Sequence, residues 1–291
     1  MMETVAIAGV GLIGGSFALA LRAAGFRGRI LGVSSERTIR RALELGVIDE
    51  GGTLEEACGQ ADLVYLAGPI HAILDTIPQL NAWLKPGALV TDAGSTKALI
   101  CRTGSALTNA QFLGGHPMAG KELRGVEAAE AGLFRGRPYL LTPERLDDMD
   151  TPPAVEFVSW LRRIGSEPEV LSPQEHDSVV ALSSHLPQLL STALSSGLSR
   201  QQASATVAAA AGPGLVDSTR LAMSAWEIWR DILETNQPAI LDAMDVFSAQ
   251  WQELRQRLAS TGVEEDFRQG REFAQSLRPR SQQRENGETK R

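Results

Sequence analysis

The chain has 291 residues, 43% of them apolar and 22% charged, which suffices for two ordinary domains with real cores. Its net charge of −7 excludes a general nucleic-acid binder, which needs a basic face. The apolar runs are short and interrupted, so none is expected to span a bilayer, and the chain is read as cytoplasmic, with neither nucleic acid nor membrane among its partners.

The first half alternates between strand and helix patterns. "TVAIAGVG" (4–11) is the first expected strand, with no basic stretch before it to mark a signal peptide. "LIGGSFALALRAAG" (12–25) has helical spacing and stops on Gly25. Strands follow at 28–35, 61–69, 87–95, 111–120 and 137–143, with helices at 36–46 and 70–84 between the earlier ones. Apolar strands alternating with amphipathic helices predict a parallel sheet covered on both faces. After "TPP" (151–153) come one helix and a short strand, "EPEVLSP" (167–173). From Pro173 onward the pattern is helical, and no apolar residue follows Leu277.

"GVGLIGG" places Gly9, Gly11 and Gly14 in a G-x-G-x-x-G between the first strand and the first helix. Gly9 allows the tight turn, Gly11 lets a pyrophosphate approach the backbone, and Gly14 lets helix and sheet pack closely. The helix N-terminus supplies free N–H groups and a positive dipole end. In this strand-to-helix context the motif predicts a dinucleotide site, to which Leu12, Ile13, Gly68 and Pro69 are also assigned. A glycine-rich turn holding nothing is the plainer alternative. The end of the second strand, where an NAD site usually carries an acid, reads "GVSSER". Ser34 takes the acid's place and Arg37 follows, a pairing suited to a 2′-phosphate, so NADP is favoured over NAD, with Glu36 as a competing acid.

The expected fold is thus α/β: a Rossmann dinucleotide-binding domain (1–170), an all-α substrate and dimerisation domain (171–275) and a disordered tail (276–291). Its apolar helices are expected to form a homodimer interface. Cys58 and Cys101 lack ligand-spaced partners and are read as free thiols, a single disulfide being the alternative; no metal site is expected.

His116 is one of only four histidines and sits in "GGHPMAG" (114–120), after a strand's C-terminal end, where ligands of open α/β sheets bind. Its near-neutral pKa suits a base that takes a hydroxyl proton while a hydride leaves; a loop histidine bonded to backbone fits equally.

"VAIAGVGLIGGS", "TDAGSTK", "GGHPMAG", "SSHLPQ" and "GLVDSTRLA…WRD" follow one another as in the prephenate and arogenate dehydrogenases of tyrosine biosynthesis, which the chain resembles over residues 4 to 260. The resemblance implies oxidative decarboxylation of a cyclohexadiene substrate, prephenate or arogenate. His116 then matches the catalytic histidine and Ser95 the serine that orients the hydroxyl, although Ser95 also reads as a helix N-cap. Arg220 matches the arginine that holds the side-chain carboxylate. Asp217 and Glu122 match acids around the site, expected to pair with Arg220 or gate access. Trp229 and His185 match residues near the substrate, core packing being the alternative for both. Gln188 stands where many prephenate-using members carry a second histidine. An amide can accept from arogenate's ammonium or donate to prephenate's keto oxygen, so on sequence Gln188 does not choose. His71 and His176 are read as structural, or as lying behind the site. Two rival readings stay open: a two-domain dehydrogenase of the hydroxyacid or imine-reducing type, and a non-enzymatic dinucleotide sensor.

Overall fold

The computed structural model describes residues 2–258 and 262–288, with side chains as far as 277. The sheet-bearing part runs β1 (Thr4–Ala8), α1 (Leu12–Ala23), β2 (Arg29–Val33), α2 (Glu36–Glu44), β3 (Glu50–Gly51), α3 (Leu54–Gln60), β4 (Leu63–Leu66), α4 (Ile70–Leu80), β5 (Leu89–Asp92), α5 (Ala98–Gly104), β6 (Gln111–Pro117), β7 (Pro138–Thr142), α6 (Pro152–Arg163) and β8 (Glu167–Val170). Helices follow: α7 (Pro173–Val180), α8 (Leu186–Ser199), α9 (Ser204–Ala209), α10 (Pro213–Thr219), α11 (Trp226–Thr235), α12 (Gln237–Leu258) and α13 (Glu264–Glu288). The expected tail (276–291) overlaps the end of α13, and from 278 onward it lies outside the fully described residues. The chain forms two compact units, Met1–Ile240 and Leu241–Arg291.

The strands form one sheet in the order β3-β2-β1-β4-β5-β6-β7-β8. Alternation along each strand divides the core. Val5 and Ile7 of β1, with Leu63 and Tyr65 of β4, meet Phe17 and Leu21 of α1 and Phe157 and Leu161 of α6. Ala6, Val64 and Leu66 point the other way, onto Ala57 and Cys58 of α3 and Ile73 and Ile77 of α4. Both cysteines are free and buried, and burial pushes their thiols up to about 12 (Cys58) and about 11 (Cys101).

The sheet departs from the all-parallel expectation at one place: β6 and β7 pair antiparallel, Gly115 opposite Leu141 and His116 opposite Leu140. The segment between them carries only a single 3₁₀ turn, Val126–Ala128, and no crossover helix to return the chain to a parallel start. Three short elements were also unexpected: β3, α3 and α5. β3 has two residues and no periodicity to read. α3 did carry a signal, the capping box of Thr53 and Glu56, in which each side chain meets the other's backbone N–H.

Candidate active site

Chain order reverses between β1 and β4, because β1 leads outward through β2 and β3 and β4 then pairs on its other side. Ligands of open α/β sheets bind at this switch, beyond the C-terminal strand ends. A cavity of about 390 Å³ lies there. Leu12 and Ile13 line it after β1, Gly68 and Pro69 after β4, and Gly94 and Ser95 after β5. A second cleft of about 230 Å³ shares Gly68 and Pro69 and continues to Gly9, Val33 and Ser34.

The glycine loop has the shape its motif requires. Gly9 has φ +99°, and a Cβ on it would lie 2.7 Å from the Ala67 carbonyl carbon. A Cβ on Gly14 would lie 2.2 Å from the Gly9 oxygen, so this residue serves helix packing. Gly11 is different: its Cβ would meet nothing within 4 Å, leaving the approach to the backbone open. Gly11 is also the N-cap of α1, with no side-chain cap and no acid in the first turn, so the helix end is free to receive an anion. The residues therefore fit a dinucleotide. At the end of β2 the N-cap of α2 is Ser35, which accepts from Thr38 N, while exposed Ser34 lines the cleft. Arg37 is exposed and Glu36 occupies the first turn of α2.

His116 does not sit in a loop. It is the penultimate residue of β6 and is buried. The preceding glycines are there for protein packing: a Cβ on Gly114 would lie 2.2 Å from Thr142 Oγ1, and one on Gly115 would lie 2.6 Å from the Asp92 carbonyl oxygen. They do not open a path to a ligand. The backbone before His116 is pinned further. Gly115 N–H donates to Asp92 Oδ1 (3.1 Å), and Lys97 Nζ donates to the Gly115 carbonyl (2.8 Å) while pairing with Asp92. Lys97 and Asp92 are fully buried, an ion pair made tolerable by these extra bonds.

The His116 ring is tied in turn. Its Nδ1 lies 2.9 Å from His176 Nε2, and His176 Nδ1 lies 2.9 Å from Asp177 Oδ1. Asp177 accepts from the backbone N–H groups of Lys97 (2.7 Å) and Ala98 (2.9 Å), and so caps α5. The N-cap role read for Ser95 thus belongs to Asp177; Ser95 is left half-buried on the cavity wall. Burial above all holds His116 well below the ordinary histidine range, and a proton on His176, the nearby Lys97 cation or a proton on His185 lowers it further. His176 is lowered by burial against the opposing pull of its Asp177 hydrogen bond.

His185 is a core residue at the end of a π-helical turn, Ala181–His185, that joins α7 directly to α8, with Pro187 accommodated in the first turn of α8. Its Nδ1 is 3.3 Å from Asn236 Nδ2, its ring meets Trp229 edge-on at 5.9 Å, and burial lowers it to about 4. Gln188 is buried and donates from Nε2 to the Leu221 carbonyl (2.8 Å) and to Thr192 Oγ1 (3.3 Å). Its Oε1 has no hydrogen-bond partner among the described residues. Arg220 begins a 3₁₀ turn, Arg220–Met223, rather than lying within a helix, and is exposed. Glu122 is 4.0 Å from it, an exposed contact of little energetic weight. Asp217, exposed on α10, makes no ion pair with Arg220 among the described residues.

The cavity thus gathers Leu12, Ile13, Gly68, Pro69 and Ser95, together with Lys121 and Arg124 on either side of Glu122 and Leu123. His116, His185, Gln188 and Trp229 do not line it. Asp231 does, buried and bonded to Arg230 (3.0 Å) and the backbone of His71 (3.3 Å). His71 itself pairs with Glu234 at 2.7 Å. Asp92, Lys97, Asp177 and Asp231 carry no motif of their own that marks them in the sequence as part of the site. The first two lie within "TDAGSTK", but spacing does not reveal that they are buried together.

A Rossmann sheet with a glycine-loop cradle, a cavity at its switch point and a following set of helices defines a two-domain NAD(P)-dependent dehydrogenase fold. Two family profiles match the chain: "Prephenate dehydrogenase, nucleotide-binding domain" over residues 17–161 and "Prephenate dehydrogenase, dimerization domain" over 172–272. The chain belongs to the prephenate dehydrogenase family. It is 34% identical to the prephenate dehydrogenase of Bacillus subtilis over 92% of this chain and 73% of the relative. It superposes on a structure of Aquifex aeolicus prephenate dehydrogenase, in complex with hydroxyphenyl propionate and NAD+, with TM-score 0.86 and 32% identity, covering 96% of this chain and 98% of that one. Synechocystis arogenate dehydrogenase matches with TM-score 0.82 and 30% identity over 95% and 99%.

Proposed function

We propose that the protein is a prephenate dehydrogenase that forms 4-hydroxyphenylpyruvate in tyrosine biosynthesis, with His116 as base and Ser95 as its partner in orienting the substrate hydroxyl. The observation that carries this reading is a rigid, buried imidazole one strand away from the Ser95-lined cavity, kept uncharged near neutrality by its surroundings. Bound oxidised nicotinamide supplies the hydride acceptor. Ser95 orients the ring hydroxyl, and His116 takes its proton as the hydride leaves the same carbon. The bond to the ring carboxylate then breaks, carbon dioxide leaves, the electron pair completes the aromatic ring, and His116 returns the proton to the ring oxygen. Arg220 takes the side-chain carboxylate; Lys121 and Arg124 add positive charge at the cavity wall for an anionic substrate. Glu122, 4.0 Å from Arg220, and Asp217 are the acids assigned to gate access, and His185, Gln188 and Trp229 are assigned to the substrate's surroundings.

One observation favours arogenate as the substrate instead. The Leu221 carbonyl can only accept, so it fixes the Gln188 nitrogen toward itself and leaves Oε1 as a buried acceptor, which suits an ammonium better than a keto oxygen. For the cofactor, exposed Ser34 and Arg37 with no acid at the end of β2 support NADP over NAD. The exposed apolar residues Val216, Met223 and Trp226 support a homodimer through the helical region, and no described helix is long and apolar enough to cross a membrane. Initial rates of nicotinamide reduction with prephenate and with arogenate, each with NAD and NADP, test the reading. Turnover is expected in the NADP mixtures at least; no turnover in any of the four overturns the dehydrogenase assignment.

A further inference from the structure

Among the described residues, the chain His116–His176–Asp177 is the longest side-chain relay that ends on the candidate base. Its direction follows from the donors and acceptors along it. Asp177 already receives two backbone N–H groups, one on each oxygen, so it stands as an acceptor toward His176. His176 Nδ1 must therefore carry the hydrogen of that 2.9 Å contact. A neutral imidazole has one N–H, so His176 Nε2 is a lone pair. The only hydrogen available for the next 2.9 Å contact is then the one on His116 Nδ1. This leaves His116 Nε2, on the far side of the ring, unprotonated.

We propose that His176 and Asp177 are positioning residues that lock His116 in the tautomer with a free Nε2 lone pair and that stabilise the imidazolium formed when Nε2 takes a proton. The proposal rests on the dehydrogenase reading for its catalytic consequence, but the tautomer itself does not. Proton transfer to Nε2 makes a cation whose Nδ1–H points along the relay toward the Asp177 carboxylate. The other charged or titratable groups around the ring act differently. Lys97, from the segment after β5, is spent on Asp92 and the Gly115 carbonyl, and His185, from the π-helical turn, is buried and bonded to Asn236. Neither supplies a negative partner, so among the described residues Asp177 is the one carboxylate that the ring reaches through hydrogen bonds.

The relay makes a prediction that needs no substrate. With only four histidines in the chain, the imidazole nitrogens can be resolved by 15N NMR of histidine-labelled full-length protein with NAD or NADP added. At neutral pH, His116 and His176 are both expected with Nδ1 protonated and Nε2 bare. A protonated Nε2 on His116 overturns the proposal, and does so whether or not the protein proves to be a prephenate dehydrogenase. Given an active enzyme, His176→Leu should lower kcat by about 10- to 100-fold with KM changed less than about 3-fold, and move the acid limb of the kcat/KM profile to lower pH. His176→Gln, whose amide can still accept at one end and donate at the other, should restore most of the rate and the limb. A folded His176→Leu with unchanged kcat and acid limb overturns the proposal; if that variant does not fold, the Gln variant and the NMR tautomer decide.

Discussion

Single residues in the glycine loop separate a folding role from a binding role. Gly11 has extended backbone and open space where a Cβ would stand, so Gly11→Ala should fold normally. The added methyl occupies the approach to the pyrophosphate, and dinucleotide affinity should fall by at least about 10-fold, read by fluorescence titration. Gly14→Ala instead forces a Cβ against the Gly9 carbonyl oxygen and should cost on the order of 2 kcal/mol in thermal unfolding. Equal effects of the two substitutions on stability would refute this division. Both roles were legible in the sequence, because the motif's spacing encodes backbone geometry. The motifs singled out His116 and Ser95 as candidates, but they did not point to the residues that hold His116 and the start of α5 in place. Asp177 lies 61 positions from His116 and 82 from Ser95, and only the fold brings its carboxylate to the start of α5. Lys97 gives no sign in the sequence that it is fully buried, since lysine is almost always solvated.

At the scale of elements, β6 is where the sequence reading was least complete. Its apolar run and position predicted a parallel strand, and it does pair parallel with β5, but β7 on its other side runs antiparallel because no helix intervenes before it. That change buries His116 within paired backbone instead of leaving it on a loop. The two glycines before it are a packing necessity, so Gly114→Ala should lower the unfolding temperature by several degrees, equivalent to about 1–3 kcal/mol. Calorimetry with an unchanged midpoint would show that Thr142 and Cys101 can yield the space. The βαβ opening, the helices from Pro173 onward and the end of strand structure near residue 170 were readable from periodicity alone. The short elements β3 and α5, at two and seven residues, were not.

Across the whole molecule, three buried imidazoles tie the sheet to the first helices beyond it, and they make stability depend on pH. His116, His176 and His185 are all held below the ordinary histidine value, chiefly by burial. The unfolded chain binds their protons at about pH 6.5, whereas the folded protein resists them. Stability should therefore be full above about pH 6.5 and fall as pH drops toward the folded values. His185, lowered to about 4, alone accounts for on the order of 3 kcal/mol over that window. Urea titrations at pH 7.5 and pH 5 should show the lower midpoint at pH 5; equal midpoints would mean the rings are not buried as neutral groups.

Everything proposed for the chemistry turns on His116 as the base beside the nicotinamide. A crystal structure of the full chain with oxidised cofactor and a hydroxyphenyl ligand tests it most directly. The His116 Nε2 is expected at about 2.6–3.2 Å from the ligand's ring oxygen, on the side facing the nicotinamide C4. An imidazole that stays behind β6 with its Nε2 turned from the ligand, while another side chain meets that oxygen, would contradict it.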